Sequence, residues 1–216
     1  MKAMKRILIA MPMMLAAGAV HAAQPAAAPR ATDTPPASAS ASTAASAAAS
    51  NPFFGDNKNQ IGITYGRSTG PGGSLLSSLT FTLGQENHAE DFNYFMLQYS
   101  QPTTFFRLPA RLNGTVGITF GNVPDAPSQG IAGISEDVAI LHWRGFYYGY
   151  GLGGAIQGRV TKRENSQFVF SAKSFLGYRI TAAWSVEIVG IHYSNAGLNS
   201  PNRGYNFIGL TGLFAF

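Results

Sequence analysis

The sequence has 216 residues and no cysteine, and 12% of its residues are charged, against about 25% in an ordinary soluble domain. The mean hydropathy is only +0.03. Beyond the N-terminus there is no run of about 18 uncharged apolar residues that could cross a membrane as a helix. These properties argue against a soluble domain and a helical membrane protein, and they favour membrane strands in which apolar and polar residues alternate.

The positive charge of the chain is concentrated at its N-terminus. The formal net charge is +5, and three of the positive charges belong to Lys2, Lys5 and Arg6. Removing those three from +5 leaves +2, which is too small to indicate a nucleic-acid partner.

Residues 1–22 have the pattern of a secretory signal peptide. An apolar stretch, Ile7–Val20, follows the three basic residues, and Val20-His21-Ala22 fits a cleavage site, with Ala23 as an adjacent alternative. A retained membrane anchor is the competing interpretation. The apolar stretch is short for a span and no stop-transfer charges follow it, so we predict cleavage.

Residues 23–50 consist almost wholly of Ala, Ser, Thr and Pro. Such a segment lacks the large apolar side chains that offset the entropy of ordering, so we predict a disordered periplasmic tail. The absence of cysteine argues against a lipoprotein, and the folded domain is expected to comprise residues 51–216.

From Gln60 onward the sequence predicts short strands separated by turn residues. Nine segments qualify: Gln60–Arg67, Leu75–Leu83, Tyr94–Gln101, Leu112–Gly121, Asp137–Trp143, Phe146–Gln157, Phe168–Arg179, Trp184–Ser194 and Tyr205–Phe216. Single-chain bacterial barrels have an even number of strands. We therefore predict eight, and which early candidate is not a spanning strand stays open.

The predicted connections alternate in length along the chain. Arg144-Gly145 and Ile180–Ala183 are short, whereas Asn122–Glu136, Gly158–Gln167 and Asn195–Gly204 are long. Outer-membrane barrels combine short periplasmic turns with long external loops. The pattern predicts an all-β, eight-stranded antiparallel transmembrane barrel of the outer membrane, with the long loops outside.

The last strand carries an apolar stripe with a period of two. Ile208, Leu210, Gly212, Phe214 and Phe216 fall on one face, as lipid-facing residues should. A terminal Phe on such a strand resembles the C-terminal signature of outer-membrane barrels.

His192 and Ser194 lie two residues apart on the preceding strand, so both side chains point to the same face, with about 7 Å between their Cα atoms. An imidazole can reach a hydroxyl across that gap, which is the base–nucleophile pairing of acyl transfer. The same face carries Val186, Ile188 and Gly190, so it is expected to contact lipid, where a histidine is costly.

The height of this pair in the membrane follows from the strand length. Trp184–Ser194 extends about 33 Å, or about 25 Å vertically in a tilted strand, which matches the apolar band. Asn206 lies at the same distance from the end of the next strand. The three polar side chains should meet at the outer-leaflet boundary, where lipid A carries ester-linked acyl chains. Polar residues of the interface without a catalytic role are the alternative.

The C-terminal block closely resembles the lipid A 3-O-deacylase family (PagL type). The resemblance covers Trp184–Phe216 and is carried by His192-Tyr193-Ser194-Asn195-Ala196-Gly197-Leu198, by Pro201-Asn202 with Gly204, and by the terminal Phe. Gly149–Gly154 resembles the glycine-rich strand of the family more loosely. The resemblance implies an eight-stranded barrel that hydrolyses the 3-position ester of lipid A without a metal or cofactor, with His192 as general base and Ser194 as nucleophile.

The chain departs from the family pattern at Asn206, where the best-studied members have a glutamate. A carboxylate fixes the histidine tautomer and stabilises the imidazolium. Asn206 can do the first and not the second, so we predict a neutral orienting residue and a slower enzyme. Glu187 is not expected to substitute, because its odd offset from His192 points it into the barrel.

The loop after Ser194 offers candidates for an oxyanion hole. Asn195 and Asn202 have side-chain amides, and Gly197 permits close approach of a backbone N–H. Ordinary turn chemistry explains the same residue types equally well.

Four basic residues on predicted outer loops, Arg159, Lys162, Arg163 and Arg203, are candidates to bind the phosphates of lipid A. Ordinary surface charge is the alternative. The histidines form no metal constellation with His192.

Two other functions stay open at this stage. One is a catalytically silent barrel of the same fold, which Asn206 favours. The other is a small adhesin or resistance barrel whose function resides in its outer loops. The expected partner in the first interpretation is lipopolysaccharide in the outer leaflet, and the sequence does not decide between a monomer and a homodimer.

Overall fold

The computed structural model describes residues 58–70 and 90–216. The chain divides into two units, Met1–Ala45 and Ser46–Phe216, and all of the described residues belong to the second. The predicted signal peptide, the predicted tail and the candidate strand Leu75–Leu83 lie outside the described residues. Within the described ranges, no helix is long and apolar enough to cross a membrane.

The described residues form eight strands connected as an antiparallel meander. The strands are β1 (Gln60–Ser68), β2 (Phe92–Phe105), β3 (Leu108–Gly121), β4 (Gln129–Trp143), β5 (Phe146–Gln157), β6 (Phe168–Arg179), β7 (Trp184–Ser194) and β8 (Tyr205–Ala215). The bounds of β5, β6 and β7 are those that the sequence predicts.

The sheet closes into a barrel because β1 pairs with both β2 and β8. Ile63, for example, lies opposite Leu97 on one side and Gly212 on the other. The predicted eight-stranded antiparallel barrel is confirmed. The early candidate Gln60–Arg67 corresponds to β1, and the eight described strands close without the segment Leu75–Leu83.

One predicted loop is wrong in extent. The segment Asn122–Glu136 was expected to be a connection throughout, but β4 begins at Gln129. Gly130 and Gly133 lower the strand propensity of its first half. A Cβ at Gly133 would lie 2.7 Å from the carbonyl oxygen of Gly154, so a glycine is needed where β4 and β5 approach closely.

The two ends of the barrel differ in the length of their connections. The short turn Arg144-Gly145 is as predicted, whereas the ten residues expected between Gln101 and Leu112 shorten to the turn Phe106-Arg107, because β2 and β3 both extend into them. At one end, β2–β3 and β4–β5 are joined by two-residue turns, in which Phe106, Arg107, Arg144 and Gly145 all have positive φ, as tight hairpins require. At the other end the connections are longer, and residues 158–167 and 195–204 have irregular structure. In barrels of this class the long loops are external.

The outer surface of the barrel is apolar, and its interior combines polar and charged side chains with a cluster of buried aromatic rings. On β1, Ile61, Ile63 and Tyr65 are about half exposed, while Gln60 and Thr64 are buried inside. The same alternation continues around the barrel and produces the apolar outer face that a lipid environment requires.

A buried ionic cluster fills the interior of the barrel. Arg111 lies 2.9 Å from a carboxylate oxygen of Asp137 and 2.8 Å from one of Glu187. Lys173 also contacts Asp137, and the Tyr147 hydroxyl donates to Glu187 at 2.9 Å. Each charge of this cluster therefore has a partner of opposite sign, which is the condition for keeping charges out of water.

We predict that Arg111→Met destabilises the barrel, because it leaves buried carboxylates short of their shared partner. Removal of one member of a buried ion pair typically costs about 3–5 kcal/mol. Urea unfolding in lipid vesicles, followed by tryptophan fluorescence, measures the change, and Arg107→Met in an exposed turn is the control. Equal unfolding midpoints for the two variants would contradict this role of Arg111.

Candidate active site

His192 and Asn206 are brought together by the register of β7 and β8, in which they lie directly opposite each other. The ring nitrogen Nδ1 of His192 lies 2.8 Å from Oδ1 of Asn206. Both side chains belong to the outward-facing set of their strands, yet they are 7% and 5% exposed. The predicted convergence of these two polar residues on the outer face is present.

The other contacts of Asn206 fix which way its amide points. Nδ2 of Asn206 lies 3.4 Å from the carbonyl oxygen of Gly70, and its backbone oxygen accepts from the Thr69 N–H at 3.0 Å. The amide oxygen is thereby directed at His192. Because that oxygen can only accept, the proton of the imidazole is on Nδ1, and the lone pair of Nε2 is available to receive a proton.

Ser194 follows on the same face of β7 and is half-buried. It lies opposite Phe170 of β6. In the described part of the chain, Ser194 and His192 are not joined by a hydrogen bond. Catalytic hydrogen bonds are commonly long before substrate binds, so the arrangement is compatible with a general base and a nucleophile.

Gly204 forms one wall of this site. Its φ is +66°, which favours glycine. A Cβ at this position would lie 2.7 Å from the carbonyl oxygen of Tyr193, 3.1 Å from Cε1 of His192 and 3.5 Å from Cβ of Ser194. The backbone of Gly204 therefore packs directly against the His192–Ser194 pair.

The loop between β7 and β8 is organised around Asn195. Its buried side chain accepts from the Gly197 N–H at 2.8 Å and donates to the Asn199 carbonyl at 3.0 Å. Its own N–H donates to Oδ1 of Asn202 at 3.1 Å. Three residues were predicted for an oxyanion hole. The N–H and side-chain amide of Asn195 and the N–H of Gly197 donate within the loop. The side chain of Asn202 is anchored through its oxygen and lies on the exposed side of the loop.

The four predicted phosphate ligands are placed differently from one another. Arg163 is buried, and its two amino groups lie 2.8 Å from the carboxylate oxygens of Glu90, with a further contact of 2.9 Å to Asp125. Arg203 is half exposed and lies 3.1 Å from Asp125. Arg159 and Lys162 are exposed. Arg163 therefore faces carboxylates of the protein, and the other three lie at the surface.

The ion pair between Glu90 and Arg163 holds two outer connections together. Burial by itself raises the pKa of Glu90, but the hydrogen bonds from Arg163 and Ser68 outweigh it and leave the pKa below its ordinary value. Burial likewise opposes the charge of Arg163, and Glu90 and Asp125 more than compensate, so its pKa is raised. Both residues stay charged over the physiological range.

The sequence did not identify Glu90, Asp125 or Glu164 as part of this region. Glu164 is fully buried beside the loop 195–204. Burial raises its pKa above the ordinary value, although N–H groups of Asn195 and Gly204 partly offset this. In the sequence Glu164 stands next to Lys162 and Arg163 and has the pattern of a solvated loop, so no local signal reveals its burial.

Within the described residues, no group of three or more His, Cys, Asp or Glu side chains is arranged to hold a metal ion.

Comparison with known families and structures gives two findings. The family model of the lipid A 3-O-deacylase (PagL) matches residues 93–212. The crystal structure of the outer membrane enzyme PagL is similar in fold, with a TM-score of 0.52 and 15% sequence identity, over 73% of this chain and 99% of that chain. No curated protein matches the chain.

We predict that Gly204→Ala slows the reaction of Ser194 with a fluorophosphonate by between about tenfold and a hundredfold, because the new methyl group displaces the imidazole or the serine. Labelling of the folded barrel followed over time measures the rate. Gly212→Ala on β8 is the control, since a Cβ there meets nothing within 4 Å. An unchanged rate for Gly204→Ala would show that His192 and Ser194 accommodate the added methyl group without a change in reactivity.

Proposed function

The chain belongs to the lipid A 3-O-deacylase (PagL) family, and on that premise we propose that it hydrolyses the acyl ester at the 3-position of lipid A. The observation that carries the proposal is the 2.8 Å contact between His192 Nδ1 and Asn206 Oδ1, on the outer face of the barrel and beside Ser194. Family membership supports a lipid A deacylase in general, and the roles of the individual residues are our proposal.

The surroundings of the pair suit a substrate that arrives from the membrane. Ile188 and Leu210, on the same outward faces of β7 and β8, are 47% and 57% exposed. They lie closer to the tight-turn end of the barrel than His192 does. An acyl chain can therefore lie along the apolar wall while its ester reaches the polar residues near the long loops.

In the first step, the Ser194 hydroxyl oxygen attacks the ester carbonyl carbon and its proton passes to Nε2 of His192. Asn206 accepts the Nδ1–H and keeps the imidazole in the tautomer that can take this proton. The carbonyl oxygen becomes an oxyanion.

The anchored amide of Asn202 is the proposed oxyanion donor. Its Oδ1 is held by the Asn195 N–H, which leaves Nδ2 available to a ligand on the exposed side of the loop. Donors fixed in advance around a developing negative charge stabilise the transition state without reorganisation.

The tetrahedral intermediate then collapses. The bond between the carbonyl carbon and the sugar oxygen breaks, His192 returns its proton to that oxygen, and the acyl group stays on Ser194. In the second step a water molecule gives a proton to His192 and attacks the acyl carbon. The bond from that carbon to Ser194 Oγ then breaks, His192 returns the proton to Oγ, and the fatty acid leaves. The headgroup level of the membrane supplies this water.

Asn206 sets a limit on the rate. An amide orients the imidazole but contributes no negative charge to the imidazolium that forms in each step. The proposed enzyme is therefore slower than a variant with a carboxylate at this position.

Arg159, Lys162 and Arg203 are proposed to bind the phosphates of lipid A. All three lie on the long loops at the end of the barrel that carries the active site, and their side chains are at the surface. Arg163 is left out of this set because its guanidinium is already bound to Glu90 and Asp125.

A catalytically silent barrel of the same fold is the second candidate. Two observations favour it: the neutral Asn206 and the lack of a hydrogen bond between Ser194 and His192 in the described part of the chain. In that case the barrel has a structural or binding role, and Ser194 is an ordinary interfacial residue.

We predict that cells producing the wild-type chain contain lipid A that has lost one 3-hydroxyacyl group, and that the Ser194→Ala variant leaves lipid A intact. Mass spectrometry of extracted lipid A measures the difference. Heat-modifiable migration in gels verifies that both proteins are folded in the outer membrane. Unchanged lipid A in both strains, with folded protein in both, would favour the silent barrel.

We further predict opposite effects of two substitutions at Asn206. Asn206→Glu preserves or raises the deacylation rate, because it keeps an acceptor for the Nδ1–H and adds charge. Asn206→Leu, of similar volume without an acceptor, lowers the rate by about a hundredfold or more. Initial rates on purified lipopolysaccharide measure both, and loss of activity in Asn206→Glu would refute the orienting role.

A further inference from the structure

Glu164 lies in the loop between β5 and β6, where this loop pairs with the loop that follows Ser194. An isolated antiparallel bridge joins Glu164 to Asn202. On either side of it, the Arg203 N–H donates to the Arg163 carbonyl at 2.9 Å and the Asn165 N–H donates to the Pro201 carbonyl at 3.0 Å. Glu164 therefore occupies the centre of the contact between the two loops.

The carboxylate of Glu164 is buried and has no ionic partner among residues 58–70 and 90–216. Its residue is 0% exposed, and among the described residues neither oxygen has a hydrogen bond of full geometry. The N–H groups of Asn195 and Gly204 and the Asn195 side chain are close enough to favour its charged form. A buried carboxylate with such loose contacts costs stability, so packing alone does not account for it.

The groups that face Glu164 flank the proposed active site on both sides. Asn195 directly follows Ser194 in the chain and holds Asn202 through its N–H. Gly204 packs against the imidazole of His192. The bridge to Asn202 thus places a single buried carboxylate between the two ends of the loop that surrounds the base, the nucleophile and the oxyanion donor.

We propose that Glu164 is a positioning residue for lipid A hydrolysis, whose carboxylate attracts the N–H groups of Asn195 and Gly204 and thereby holds the loop 195–204 over Ser194 and His192. The inference rests on the proposed function and deepens it. Glu164 does not contact the reacting atoms. It acts through Asn202 and Gly204, so its loss should lower kcat more than it raises KM.

Asn165 provides a matched control for this role. Its side chain donates to the Ser200 carbonyl at 2.7 Å and so ties the same two loops together from the exposed side. Asn165→Ala removes one tie between the loops and leaves the carboxylate in place. Glu164→Gln keeps the volume and removes the charge.

The test combines two measurements on the full-length protein refolded in detergent micelles. Amide hydrogen exchange of Asn195 and Gly204, followed by NMR, reports the loop without any substrate. Deacylation kinetics on purified lipopolysaccharide report kcat and KM. We expect Glu164→Gln to speed exchange at Gly204 by about tenfold and to lower kcat by about tenfold with KM little changed, and Asn165→Ala to leave both close to wild type.

The outcomes separate the two proposals. Unchanged exchange at Gly204 in Glu164→Gln overturns the role of Glu164, even where the wild type is active. Equal losses in Glu164→Gln and Asn165→Ala also overturn it, because general loosening of the loops then explains both. A folded wild type that does not deacylate lipid A instead overturns the proposed function, and with it the catalytic part of this inference.

Discussion

The hydrogen bond between His192 and Asn206 is the interaction on which the proposed chemistry depends. It exists because the register of β7 and β8 places the two residues opposite each other on the outer wall. The imidazole is the donor in this bond because the carbonyl of Gly70, just after β1, accepts from the amide nitrogen of Asn206 and so turns the amide oxygen toward His192. Three consecutive strands around the closure of the barrel therefore favour one tautomer of the neutral His192 imidazole.

A precise site on the outside of a barrel requires a rigid wall behind it. The interior supplies this through two layers. Arg111, Asp137 and Glu187 form a buried ionic cluster, and aromatic rings lie between the barrel axis and the active-site wall, with Tyr94 stacked on Phe207 at 5.1 Å. A wall built in this way resists the small displacements to which acyl transfer is sensitive.

The outer loops complete the site by burying charge. Arg163 joins Glu90 and Asp125 into one network. Glu164 lies beside the loop 195–204, and the described part of the chain places no cation against its carboxylate. A buried charge costs stability when it is unpaired, and a buried ion pair is favourable only in a well-defined geometry. These buried charges give the loops a defined arrangement, which the proposed oxyanion donor Asn202 requires, because an unstructured loop would not hold its amide in place.

The sequence by itself determined the periodic features of this protein: the bounds of β5, β6 and β7, the short turns after β4 and β6, and the shared face of His192, Ser194 and Asn206. Alternation of apolar and polar residues and the residue types of turns are local features, so they can be recognised without knowing the fold. Only the tertiary structure decided that β4 begins at Gln129, that Arg163 is bound to carboxylates, and that Glu164 lies beside Asn195 and Gly204. These depend on contacts between loops and strands far apart in the chain, and no local pattern encodes which charge is buried by which neighbour.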